Sequence, residues 1–227
     1  MIEIIVQNHR DALEAEKLGA RRLEFVSAIS EGGLTPSYGA MKKVFEKASV
    51  PVYTMIRPHS FSFVYDEVDF EIIEADVRQV LGLGNNRIVF GALNKDGTIN
   101  EDMLKRIIHI SPDLEITFHR AFDEVKDQVE AYETLSKYDQ VKWILTSGGA
   151  DTCLEGKESL RKLVELSRTT GGPQILPGSG LTAENLKEVH EFVQANQYHF
   201  GSAVRKDHSF AKGYDEETVK EILSIIR

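Results

Sequence analysis

Short apolar runs rich in β-branched and aromatic residues recur along the chain, each followed by a stretch whose apolar positions fall near helical spacing. The runs begin at Ile2 (IEIIV), Arg22 (RLEFV), Val52 (VYTMI), Arg87 (RIVFG), Glu115 (EITFH), Lys142 (KWILT), Gln174 (QILPG) and Tyr198 (YHFGS). Runs of this length and composition are those of strands buried on both faces. Between the first two runs, "NHRDALEAEKLGA" sets Ala12, Leu13, Ala15 and Leu18 near one helical face and stops at Gly19. "TPSYGAMKKVFEKA" predicts a helix with Thr35 as N-cap and Pro36 at its first position. "NEDMLKRIIHIS" opens on Asn100 as an N-cap, and "DEETVKEILSIIR" closes the chain as an amphipathic helix. "TAENLKEVHEFVQA" has Thr182 followed three residues on by Asn185, short of the Glu of a full capping box.

Eight strands alternating with helices over 227 residues predict an α/β fold, a (β/α)8 TIM barrel, as a single domain spanning 1–227. The alternative, a doubly wound open sheet, usually carries a glycine-rich loop after its first strand, and "VQNHRDAL" has no glycine there.

Barrel strands alternate between interior and helix-facing positions. With Leu23 and Phe25 facing the helices, Glu24 and Val26 point inward. Matching parity sends Tyr53, Met55 and Arg57 inward from the third strand, and Thr117 and His119 from the fifth. Three ionisable side chains, Glu24, Arg57 and His119, thus converge inside the barrel or at its mouth, where barrel enzymes keep their chemistry. Buried charge needs a partner, and Glu24 and Arg57 lie on adjacent strands, so they are expected to pair. Two readings stand side by side. In one, the pair is structural and plugs the barrel. In the other, Arg57 holds a carboxylate or phosphate while Glu24 or His119 moves a proton. A histidine titrates near neutrality when free, at about 6.5, which suits an acid, a base or a metal ligand. Arg120 and Asp123, which follow His119, can pair with each other, cap the next helix or touch a ligand.

The last three strands end in glycine-containing loops: "LTSGGA" (145–150), "LPGSGLT" (176–182) and "FGSAV" (200–204). Glycine lets backbone N–H groups approach an anion closely, and a following helix start adds its positive end. Barrels frequently bind phosphate with the loops after strands seven and eight. Ser147, Gly148, Gly149, Gly178, Ser179, Gly180, Gly201 and Ser202 are therefore expected to form an anion or phosphate site; the alternative is tight turns with no ligand. "SEGGLTPS" (30–37) brings Glu31 within reach of the mouth. "RPHSFSFVYDEVDFE" (57–71) reads as a lid, or as a packed loop or subunit contact.

Charge and cysteine content narrow the function classes. The formal net charge of −9 argues against an electrostatic grip on nucleic acid but leaves room for a small anionic ligand held locally. No apolar run is long enough to span a bilayer, and "MIEIIVQNHR" does not read as a signal peptide. Cys153, the lone cysteine, excludes an intrachain disulfide, reads as a small packing residue, and suits a reducing cytoplasm. Homo-oligomerisation is left open.

Six stretches taken together, "LEFVSAISEGGLTPS", "VYTMIRP", "RIVFGALNKDGTIN", "TFHRAFD", "ILTSGGA" and "PGSGLTAEN", resemble the CutC family, named for copper homeostasis. The resemblance covers nearly the whole chain. It implies a cytoplasmic (β/α)8 barrel associated with copper tolerance or copper binding, and it implies no agreed reaction. Family members proposed to bind Cu(I) carry cysteines in the first and second strands, where this chain has Ile5 and Val26. Cu(I) prefers thiolate and thioether ligands, so no metal ligand is assigned and tight Cu(I) binding in the barrel is not expected. The competing reading is a barrel enzyme, an isomerase, lyase or hydrolase, acting on a small anionic metabolite; an interaction scaffold ranks last.

Overall fold

The computed structural model describes residues Met1–Ile226. Its strands are β1 (Ile2–Val6), β2 (Arg22–Phe25), β3 (Val52–Met55), β4 (Arg87–Phe90), β5 (Glu115–Phe118), β6 (Val141–Thr146), β7 (Gln174–Pro177) and β8 (Tyr198–Phe200). They alternate with α1 (His9–Lys17), α2 (Tyr38–Phe45), α3 (Glu67–Gly82), α4 (Glu101–Ile110), α5 (Gln128–Leu135), α6 (Lys157–Thr170), α7 (Ala183–Val193) and α8 (Glu216–Ile225). The strands form one parallel sheet in the order β7-β6-β5-β4-β3-β2-β1-β8. A bridge between Gly178 and His199 joins its two edges. This is a (β/α)8 barrel, with its seam between β7 and β8.

The period-two alternation of the strands accounts for two separate cores. Ile4, Leu23, Phe25, Ile88, Phe90, Ile116, Phe118 and Ile144 point outward and pack against the apolar stripes of the helices, such as Ala12 and Ala15 of α1 and Val189 of α7. Ile5, Val26, Tyr53, Met55 and Val89 point inward and form a second, smaller cluster.

Helix starts follow capping chemistry, with two differences from expectation. Asn8 caps α1 and Asn100 caps α4 through their side-chain oxygens, as polar side chains at orphan N–H groups should. On α2 the cap is Ser37, not Thr35. Thr35 is tied to the end of β3 instead: its hydroxyl accepts the Arg57 N–H at 2.9 Å. On α7 the capping box is complete, because the Asn185 amide oxygen accepts the Thr182 N–H at 2.9 Å. An Asn oxygen can thus serve where a Glu was expected. The 57–71 segment is shorter as a loop than its sequence suggested, since α3 begins at Glu67 behind an Asp66–Asp69 capping box. Arg227, at the end of the expected closing helix, lies outside the described residues.

Candidate functional site

Strand register brings four ionisable side chains together inside the barrel. Glu3 lies opposite Arg22 on one side and His199 on the other, and Glu24 lies two residues beyond Arg22 on β2. All four are buried. The Arg22 Nε donates to Glu3 Oε2, and its guanidinium lies 4.2 Å from the Trp143 ring and 5.1 Å from the Tyr53 ring. His199 Nδ1 is 2.6 Å from Glu3 Oε1, and His199 Nε2 is 3.8 Å from Glu24 Oε2. Glu24 Oε1 and both Arg22 Nη atoms are buried with no hydrogen-bond partner.

Their charges are set by one another. Burial pushes Glu24 up, to about 7, and the negative Glu3 adds to it while His199 and Arg22 oppose. Burial also acts on Glu3, but Arg22 and His199 outweigh it and hold that carboxyl below its ordinary value. For His199, burial alone would lower the imidazolium; Glu24 and Glu3 reverse this and raise it.

The expected Glu24–Arg57 ion pair does not form. Glu24 is level with Tyr53, and Arg57 lies four residues beyond Tyr53, past the end of β3, roughly 13 Å away at about 3.3 Å per residue. The two strands are adjacent, but the two residues belong to different layers. Arg57 donates to main chain instead: its Nη1 to Glu31 O (3.2 Å) and its Nη2 to Ser60 O (3.4 Å), while Phe63 covers its face at 4.7 Å and its Nε has no partner. His119 is packed beside it under the same Phe63 ring, 4.8 Å between centroids. The His119 Nδ1 accepts the Ala121 N–H at 3.2 Å, which fixes the ring proton on Nε2. Burial, and then the nearby Arg57 charge, push His119 down to about 3. At neutral pH it is a neutral imidazole with a buried, unpartnered Nε2.

The three glycine-containing loops divide into two kinds. In 145–150, Ser147 N–H and Gly149 N–H each donate to the Asp123 carboxylate at 3.0 Å, and the Thr146 hydroxyl donates to it as well. Arg120 Nε completes the set at 2.8 Å. Ser147 and Gly149 therefore form an anion nest that the chain's own carboxylate fills, and the Gly148 N–H donates to the Thr146 hydroxyl at 2.9 Å, which corrects the assignment of all three to an open anion site. The loops after β7 and β8 differ. Gly178, Ser179, Gly180, Gly201 and Ser202 line one cavity of about 290 Å³ with Ile5, Arg120, Thr182, His199 and His208. Glycine is required at its edges. Gly180 has φ +63°, and a Cβ there would lie 2.6 Å from Thr152; a Cβ on Gly178 would lie 2.6 Å from Leu145 and 3.0 Å from His199. The N-terminus of α7, capped by Thr182, adds its positive end. Of the residues singled out from sequence, the structure gathers these five here, and it separates Glu24, in the interior cluster, from Arg57 and His119, which lie together at the mouth.

Donor chemistry at the positions implicated in Cu(I) binding does not fit that ion. Ile5 and Val26 face inward with Met55, an apolar cluster with one thioether. Cys153 is buried elsewhere, and burial pushes its thiol up to about 12. Glu3, Glu24 and His199 bring one ligand atom each within 4.8 Å of one another. Both Glu3 oxygens are already engaged, one by Arg22 and one by His199. A cation there would also face the Arg22 guanidinium, so this set does not fit a metal well.

Sequence parity located Glu24 but passed over Glu3, Arg22 and His199. The signal was present: Glu3 is two residues before inward Ile5, Arg22 two before Glu24, and His199 sits between outward Tyr198 and Phe200. Flanking apolar residues in "IEIIV" and "YHF" masked them.

The fold and this interior define a (β/α)8 barrel with a buried ionisable cluster beside a glycine-walled cavity at its seam. A family model described as the CutC family matches residues 1–204, and the chain belongs to that family. A human copper homeostasis protein cutC homolog is 36% identical over 207 residues, 91% of this chain and 75% of the relative. A CutC family protein of Treponema denticola is 35% identical over 211 residues, 93% of this chain and 85% of the relative. Among solved structures, a Streptococcus agalactiae protein described as a copper homeostasis protein CutC superposes with a TM-score of 0.81 at 27% identity, covering 88% of this chain and 97% of that one. Phosphoribosyl anthranilate isomerase from Thermococcus kodakaraensis shares the barrel at a TM-score of 0.66 and 16% identity, covering 100% and 98%.

Proposed function

We propose that this chain shares the copper-homeostasis association of its named relatives and acts through a site for a small anion, not through Cu(I) held on thiolates. The observation that carries this reading is the pair of glycine turns after β7 and β8, which face one cavity together with Arg120, His199 and His208. Small backbone turns, a helix N-terminus, a guanidinium and imidazole N–H groups around one cavity are the chemistry of carboxylate or phosphate recognition. The apolar character of Ile5 and Val26 supports the second half of the reading. A cytoplasmic location agrees with a lone, buried cysteine. The buried groups beside the cavity favour a second reading, an enzyme that acts on the bound anion; isomerase, lyase and hydrolase chemistry all fit it.

Two measurements test this. Thermal unfolding is followed against rising inorganic phosphate or sulfate: wild type gains several degrees, and no gain with either ion would overturn the anion site. In a Cu(I) competition titration no tight equivalent is expected. One tight equivalent per chain that survives Cys153→Ser would overturn the absence of a Cu(I) site.

A further inference from the structure

The barrel seam does more than close the sheet. Its Gly178–His199 bridge places the His199 ring edge against the anion cavity: a Cβ on Gly178 would lie 3.1 Å from His199 Cδ2, the ring atom next to Nε2. His199 itself lines the cavity. On the far side of the ring, Nδ1 is held by Glu3 Oε1 at 2.6 Å, and Glu3 is held in turn by Arg22. This fixes the neutral tautomer with its proton on Nδ1 and its electron pair on Nε2, the arrangement in which a carboxylate orients an imidazole for proton transfer. Glu24 Oε2 stands 3.8 Å from Nε2, too far for a direct hydrogen bond and close enough to stabilise a proton there.

A purely structural ion cluster accounts poorly for this. Buried ion pairs contribute little net stability and are often replaceable by apolar residues. Here a carboxylate oxygen of Glu24 and two guanidinium nitrogens of Arg22 remain buried and unpartnered, and His199 of the same cluster lines a cavity.

We propose that Glu3, His199 and Glu24 form the acid–base centre of the anion site, with His199 as the proton-transferring residue, Glu3 as its positioning carboxylate and Glu24 as the charge that stabilises the protonated ring. This rests on the anion reading above. The fitting ligand carries its anionic group on the β7 and β8 turns and an exchangeable C–H bond, beside a carbonyl, at Nε2. That bond breaks, its electron pair stays on the ligand, and the proton forms an N–H bond on His199. Return of the same proton to a neighbouring ligand atom restores the imidazole, so the net change is an isomerisation that needs no co-reactant. The groups facing His199 are Glu3 on β1, Arg22 and Glu24 on β2, and Arg120 and His208 across the cavity.

The test uses sulfate, a dianion with no proton of its own that titrates near neutrality. Histidine and amide NMR signals of the full chain are followed through a pH titration with and without sulfate. The Gly180 and Gly201 amide signals are expected to shift, and the His199 titration midpoint to rise by about one unit, the scale of a dianion several ångströms away under water-like screening. Calorimetry in buffers of different ionisation enthalpy is expected to show proton uptake on sulfate binding. Glu24→Gln is expected to lower the His199 midpoint, as loss of the neighbouring charge requires, and to reduce that uptake; if the variant fails to fold, the wild-type measurements decide alone. Shifted glycine amides with an unmoved His199 midpoint and no proton uptake would overturn the acid–base centre and leave the anion site standing. Unmoved glycine amides would overturn both.

Discussion

The barrel has two unlike halves at its carboxyl end. Across β3, β5 and β6 most polar features are answered from within the chain, and Arg57 Nε, His119 Nε2 and the Thr54 and Thr117 hydroxyls are left over there. Main-chain carbonyls hold Arg57, the Ala121 N–H holds His119, and the Asp123 carboxylate fills the 147–149 nest. Across β7, β8 and β1 the equivalent features open onto a cavity lined by the glycine turns, Ile5 and His199. The two halves use the same residue types. What separates them is whether the neighbouring loop supplies a counter-group, so residue type alone does not tell a closed plug from an open site.

That contrast can be broken at Asp123. Asp123→Ala leaves the Ser147 and Gly149 N–H groups, the Thr146 hydroxyl and Arg120 without their acceptor. Hydrogen bonds to a charged group contribute about 1.5–3 kcal/mol each and do not add simply. We expect a loss of about 3 kcal/mol or more in urea unfolding. A loss below about 1 kcal/mol would show that the nest is not closed by this carboxylate.

The His119 half can be tested through pH. Its folded pKa is depressed to about 3, below the unfolded value of about 6.5. The unfolded state therefore binds the proton first, and stability contributed by the neutral ring is lost as pH falls below about 6.5. Compared with His119→Gln, wild type is expected to lose about 2 kcal/mol more on going from pH 7 to pH 5. Parallel stability curves for the two proteins would place His119 in contact with water or a counter-charge, and the closed half would not be closed.

The open half predicts the smallest change in stability and the largest in binding. Ser202→Glu puts a carboxylate into the cavity wall and is expected to alter stability by no more than about 0.5 kcal/mol, as for a partly exposed position away from the core. It should abolish the gain in unfolding temperature produced by phosphate. A full phosphate response in this variant would move the anion elsewhere.

Much of this was legible in the sequence, for definite reasons. Strands covered on both faces are written as compact apolar runs, so all eight were recognisable. The period of two then sent Glu24, Val26, Arg57 and His119 inward. Parity carries no information about height, and so it paired Glu24 with Arg57 across a layer boundary. The filling of the 147–149 nest could not be read, because its acceptor comes from a loop 24 residues earlier that meets it only once β5 and β6 are paired. The tie between Thr35 and Arg57 hid in the same way, and with it the choice of Ser37 as the α2 cap. The assignment of the β7 and β8 loops to an anion rests on local glycine and serine chemistry, which is why it needed no knowledge of distant contacts.

The stack beneath the ionisable cluster has an optical consequence. Trp143 is the only tryptophan in the chain. Its indole N–H donates to the Tyr53 hydroxyl at 3.0 Å, and its ring lies under the Arg22 guanidinium, which is itself bound to Glu3. A cation against an indole face perturbs its excited state, and the tryptophan emission, excited selectively over that of the seven tyrosines, comes from this one half-buried ring. Any event that moves the Glu3–Arg22 pair becomes visible as a change in emission, without a label and without a substrate in hand.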